Sequence, residues 1–190
     1  MTNHIPELRP ARVHEAEGAG RFVFALAQAV RLSGPVIWIS PAHVRHTPLL
    51  PGLPQGLGAR LHLVRPDKEL DLLWAAEESL RSRATGLVIA EPDQPLSLLA
   101  GRRLQLAAEA GRTTGLMLIC AGQGSNAAET RWACAPQAAP RRDSTLQHWQ
   151  LNKNKSGTTG GWTVEWNGQT GAVHMVCAAG QRSGAAPTPP

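Results

Sequence analysis

Apolar residues recur along this chain with two different periods, and the change from one to the other falls near residue 128. In the segment 22–31, FVFALAQAVR, the residues Phe22, Leu26, Ala29 and Val30 fall at helical spacing and predict a helix with one buried face. Pro35 to Ser40 is a compact, β-branched apolar run between Gly34 and Pro41, which suits a strand covered on both faces. A turn-rich stretch, 41–58, leads to a second short strand at Leu61 to Val64. Residues 69–81 predict a helix with Leu70, Leu73, Trp74 and Leu80 on one side and Glu69, Asp71, Glu78 and Arg81 mostly on the other. A strand at Gly86 to Ala90 follows, then a helix over 96–110 stopped by Gly111, then a strand at Gly115 to Cys120.

Strands alternating with helices of ten or more residues imply right-handed crossovers and a mostly parallel sheet, with ligand sites at the strand ends. Beyond residue 128 the period becomes two. Thr130 to Ala135, Leu146 to Leu151, Gly161 to Trp166 and Ala172 to Cys177 read as antiparallel strands, with turns such as Asn167-Gly168 between them. The expectation is one α/β domain over 12–177, with a mostly parallel central sheet and antiparallel C-terminal strands. Residues 1–11, with two prolines and little pattern, read as a flexible arm, and 178–190, rich in Ala, Gly and Pro, as a disordered tail.

Composition narrows the function classes. A chain of 190 residues, 42% hydrophobic, fills one ordinary core. The net charge of +5 favours DNA or an acidic partner, but the arginines are scattered and form no block. Tyrosine is absent and there are two phenylalanines, which argues against a base-stacking platform. Cys120, Cys134 and Cys177 have neither zinc-site nor disulfide spacing, and His43 and His46 share a loop with no third ligand, so no metal is expected. No apolar run approaches the roughly 18 residues of a membrane span, and Met1 to Pro10 is too polar for a signal peptide, so a cytoplasmic protein is expected.

The segment Val13 to Phe22, VHEAEGAGRF, sits where a nucleotide-binding fold keeps its phosphate loop. A working loop needs Gly, four residues, Gly, a Lys that reaches the terminal phosphates, and a Ser or Thr that holds magnesium. Counting back from Gly20, with Gly18 inside the loop, Glu15 stands at the first Gly position, Arg21 at the Lys and Phe22 at the metal-holding hydroxyl. Two acids repel phosphate and Phe22 has no oxygen, so neither ATP binding nor catalysis is expected. Glu91 and Asp93, at the end of the third strand candidate, stand where such folds keep a metal-holding acid; acids there are also common turn formers.

In order, these pieces resemble the RecA core and, more closely, the ImuA family, which looks like a shortened RecA. The resemblance is carried by Gly34 to Ile39, Asp71 to Leu80, Arg102 to Ala110, Thr130-Arg-Trp132 and Trp162 to Trp166, and it spans roughly residues 12–177. Asn152-Lys-Asn-Lys155 also resembles a RecA segment whose lysines reach the neighbouring subunit's nucleotide, which implies that role for Lys153 and Lys155; solvated lysines in a polar turn are the plain alternative. The family resemblance implies a helper in SOS-induced mutagenesis that works with ImuB, through it with an error-prone DNA polymerase, and with RecA, nucleoid-associated during DNA damage.

Trp149, Trp162 and Trp166 crowd into the last third, with Trp162, Val164 and Trp166 on one strand face. They read either as core or, if exposed, as a partner surface. Arg141 and Arg142, in a loop where RecA-like proteins approach DNA, are candidates for phosphate or an acidic partner. A weak NTPase using Arg21, Glu91, Lys153 and Lys155, and a SulA-like cell-division inhibitor, remain open beside the adaptor reading.

Overall fold

A computed structural model describes residues 5–44, 52–138 and 145–176. Cys177, His46, Arg141, Arg142, the tail 178–190 and the first four residues of the expected arm lie outside these. One nine-stranded sheet runs through the described chain. Its strands, in chain order, are β1 (Val13–Glu17), β2 (Val36–Ile39), β3 (Leu61–Val64), β4 (Leu87–Ala90), β5 (Thr114–Leu118), β6 (Thr130–Pro136), β7 (Thr145–Asn154), β8 (Gly160–Trp166) and β9 (Val173–Met175). The α-helices are α1 (Arg21–Arg31), α2 (Glu69–Arg81) and α3 (Leu98–Gly111).

In space the strand order is β3-β2-β4-β5-β1-β6-β7-β8-β9. From β3 to β6 every neighbour is parallel, and from β6 to β9 every neighbour is antiparallel. The change of strand direction comes one strand later than the switch of period near residue 128: β6, expected among the antiparallel strands, runs parallel to β1, and the reversal is made by β7. The mixed α/β architecture with a mostly parallel sheet is as the sequence predicts.

Two cores follow from the pleat, because successive side chains of a strand point to opposite faces. On one face, α1 packs on β1, β5 and β6 and buries Phe24, Ala25 and Gln28 against Leu116, Trp132 and Trp149. Phe22, Leu26 and Val30, expected at the centre of the buried stripe, lie only partly buried at its margin. On the other face, α2 and α3 cover Val13, Ile39, Val88 and Met117. Ser97 caps α3, its hydroxyl accepting from the Ala100 N–H at 3.1 Å, and Arg112 ends the helix in the left-handed conformation with φ 56°.

Two sequence expectations are corrected here. Residues 5–11 are not a free arm, since Ile5 and Leu8 are buried in the first core and Arg9 pairs with Glu129 at 3.1 Å. Two isolated apolar residues make no periodic signal, yet they close the core beside α1. On α2 the buried stripe is Leu72, Ala76 and Leu80, whereas Leu70 and Trp74 are exposed. The helix carries more apolar positions than one face can bury, and of the expected stripe Leu80 is buried while Leu70 and Trp74 are not.

Among the described residues no helix is long and apolar enough to cross a membrane.

Candidate functional site

The ends of the parallel strands are where an open α/β sheet places its ligands. Between β1 and α1 the chain makes a turn of three residues, Gly18-Ala19-Gly20, with Gly18 at φ +88°. A phosphate cradle needs several main-chain N–H groups free and converging on the anion. Here the Gly20 N–H donates to the Cys134 carbonyl at 2.9 Å and the Arg21 N–H to the Gly18 carbonyl at 3.3 Å. A Cβ on Gly18 would collide with the Cys134 carbonyl oxygen, and one on Gly20 would lie 3.0 Å from the Ala135 nitrogen. β6 thus occupies the space above the turn.

Arg21 folds back, donating through Nη1 to the Gly18 carbonyl at 3.1 Å, with its guanidinium 4.7 Å from the centre of the Phe22 ring. Phe22 in turn stacks parallel to Trp38, ring centres 6.4 Å apart. At the lysine and hydroxyl positions of a working loop stand a cation turned onto its own backbone and an aromatic ring in a stack.

Glu15 is not a loop residue. It lies inside β1, opposite Met117 and Arg131 in the two neighbouring strands, and is 1% exposed. Its carboxylate accepts from Arg131 Nε at 2.9 Å and from the Ser125 N–H at 2.8 Å, while Glu17 accepts from the Gly122 N–H at 2.8 Å. Both acids therefore hold the crossover between β5 and β6. The phosphate-loop expectation fails at Glu15 because strand pairing continues through the acids and leaves only Gly18 to Gly20 for the turn.

His14, fully buried beside Glu15, has a defined tautomer. Nε2 lies 3.0 Å from the Arg9 carbonyl, which only accepts, so Nε2 carries the proton. Nδ1 then accepts from the Thr130 hydroxyl at 2.7 Å, and that hydroxyl oxygen accepts from Trp132 Nε1 at 3.0 Å. Burial lowers the His14 pKa from 6.5 to about 4, against smaller opposing effects of the Arg9 carbonyl and Glu129. Above pH 6.5 folded and unfolded chains both hold it neutral; as pH falls from 6.5 toward 4 the unfolded chain takes up the proton first. His14 is therefore expected to withdraw about 3 kcal/mol of stability across that window. Urea unfolding at pH 7 and pH 4.5 checks this, and His14→Gln should lessen the pH dependence.

Glu91 and Asp93 stand at the end of β4. Glu91 is buried and accepts from Trp38 Nε1 at 2.6 Å; Asp93 pairs with His43 at 3.3 Å, and its N–H donates to Glu69 at 3.2 Å. The Glu91 carboxylate is thus tied to the same tryptophan that stacks on Phe22. Among the described residues no three His, Cys, Asp or Glu side chains form a group that could hold a metal.

Lys153 lies within β7 and Lys155 just beyond it. Lys153 donates to the carbonyls of Ser125 (3.2 Å) and Asn126 (2.8 Å), and Lys155 to that of Ala127 (2.7 Å). Partial burial, then the neighbouring Lys155 and Arg131, lower the Lys153 pKa. Both lysines fasten the same crossover that Glu15 and Glu17 hold, so they are neither simply solvated nor extended toward a neighbour.

Trp149, Trp162 and Trp166 are 0%, 9% and 6% exposed. They are core, and the expectation of a partner surface there is corrected: the strand face they share is the one α1 covers. Cys134 lies on that face, its thiol pushed well above the usual range by burial and then by Glu17. Trp74 alone of the six tryptophans is largely exposed, at 63%. It lines a groove of about 330 Å³ between α2 and α3 with Leu70, Leu73, Ala100, Arg103 and Leu104. The signal in the sequence was the second apolar stripe on α2, Leu70 and Trp74, left over once Leu72, Ala76 and Leu80 fill the core.

No family model matches the chain, and no curated protein matches it.

Proposed function

We propose that this chain is a non-catalytic, RecA-like accessory protein of SOS-induced error-prone translesion DNA synthesis, of the ImuA type, which bridges RecA to ImuB and, through ImuB, to the error-prone polymerase. The observation that carries the reading is the sealed turn after β1. Its N–H groups at Gly20 and Arg21 are bonded within the chain and the Cys134 carbonyl fills the space above it, at the place where a nucleotide-dependent relative needs an open cradle. The strand order, with β1 central and α-helices on both faces of the parallel half, agrees with a nucleotide-fold ancestry. Such a protein acts by binding proteins, takes no cofactor and works near damaged DNA.

The test is titration calorimetry of the purified chain with ImuB and with RecA, with and without ATP and magnesium, at two salt concentrations. Binding to either that is unchanged by nucleotide is the expected result. Binding that strictly requires ATP would point instead to an NTPase using Arg21, Glu91, Lys153 and Lys155. Absence of both interactions, with recovery of FtsZ in a pull-down from damaged cells, would point to a SulA-like division inhibitor.

A further inference from the structure

Five of the seven large apolar residues exposed among the described residues, Leu70, Trp74, Leu98, Leu99 and Leu106, lie on α2 and α3. The two helices pack side by side on the same face of the sheet, so these residues lie across the outer side of both: Leu70 and Trp74 line the groove between the helices, and Leu98 and Leu106 line a second groove along α3 with Arg102. A surface of this kind, with an exposed tryptophan at its centre, marks a contact site.

Charge decides what fits it. α2 carries four acids, Glu69, Asp71, Glu77 and Glu78, against one arginine, Arg81. α3 carries two arginines, Arg102 and Arg103, against one acid, Glu109. Within the chain this contrast is only partly used: Glu77 takes Arg81 and also Arg103 (2.7 Å), and Glu78 takes Arg81 (2.8 Å). Asp71 on α2 and Arg102 on α3, both exposed, have no ion-pair partner among the described residues. A face with an acidic half and a basic half beside an apolar centre is complementary to itself under a two-fold rotation, which lays α2 of one copy on α3 of the other.

We infer that the α2 and α3 face binds a second copy of this chain as a two-fold dimer, with Trp74 and Leu99 at its centre and Asp71 of each copy opposite Arg102 of the other. The pairing predicts a particular pattern of charge reversal. Asp71→Arg leaves two arginines at the paired positions of each copy, and Arg102→Asp leaves two aspartates. Each variant alone repels itself, while a mixture restores both opposite-charge contacts.

The experiment is sedimentation equilibrium of the full chain, wild type and both variants, alone and mixed in equal amounts, with circular dichroism to establish that each variant is folded. The wild type is expected to dimerise reversibly, each reversal to raise the dissociation constant tenfold or more, and the mixture to return it to within about threefold of the wild-type value. Trp74→Ala, which removes the centre without touching charge, is expected to weaken the dimer in the same way. A wild type that stays monomeric to millimolar concentration would overturn the proposal and leave the face to a different protein. Dimerisation indifferent to both reversals, or a mixture that fails to reassociate, would overturn it as well.

Discussion

Arg131→Ala is expected to lower the free energy of unfolding by about 3–5 kcal/mol, because it leaves a buried carboxylate without its cation. Glu15 is 1% exposed, and once Arg131 is removed the hydrogen bond left to it among the described residues is from the Ser125 N–H. Arg131 keeps 22% of its side chain in contact with solvent, so water can reach part of the site and the loss falls toward the lower end of the range. Urea denaturation at pH 7 gives the number, read as a shift of midpoint at unchanged slope. The double variant Glu15→Leu with Arg131→Met removes both charges and should recover most of the loss. An Arg131→Ala protein within 0.5 kcal/mol of wild type, a bound set by ordinary surface substitutions, would mean that Glu15 is not locked in the sheet.

Trp149→Ala is expected to cost a similar amount, about 3–5 kcal/mol, through the cavity it leaves. Trp149 is fully buried and meets Phe24 edge-on at 5.0 Å, while Phe24 also lies 5.1 Å from Trp132, which lies 5.6 Å from Trp162. Removing the ring therefore takes the support from α1 as well as from the sheet. Trp149→Phe should be far milder, since the indole Nε1 has no hydrogen-bond partner among the described residues and its loss leaves nothing there newly unsatisfied. Trp74→Ala, on the open face of α2, should leave the midpoint of thermal unfolding nearly unchanged at concentrations where the wild-type chain is monomeric. The contrast between the two tryptophans, followed by calorimetry, separates core from contact surface.

These two sites also explain what the sequence made legible. Where a segment buries one or both faces with apolar residues alone, as in β2, β4 and β5, the pattern identifies the strand. β1 hid because VHEAE reads as polar: His14, Glu15 and Glu17 find their partners at Thr130, Arg131 and Gly122, more than 100 residues away, which no local pattern reveals. The same long-range pairing made the candidate phosphate loop look longer than the three residues it is. In the sequence Lys153 and Lys155 look solvated or outward-reaching because their acceptors, the carbonyls of Ser125, Asn126 and Ala127, are backbone atoms and leave no trace in residue identity. Periodicity placed Trp162, Val164 and Trp166 on a common face correctly, but whether that face is covered depends on α1, a tertiary fact.

The central position of β1 sets the order in which the chain can fold. Its neighbours are β5 and β6, so Val13 waits for Gly115 and Glu15 for Arg131. On a ribosome adding about 5–20 residues each second, the first strand stays unpaired for roughly 5–20 s while the sheet's other parallel strands are made. β2, β3 and β4 are complete by then and pair with one another, whereas burying Glu15 and Glu17 of β1 without Arg131 and the Gly122 N–H would leave their charges unpaired. The acids that look like a defect in a nucleotide site are thus groups whose native partners, Arg131 and the N–H groups of Ser125 and Gly122, all lie in the last part of the parallel half to be made.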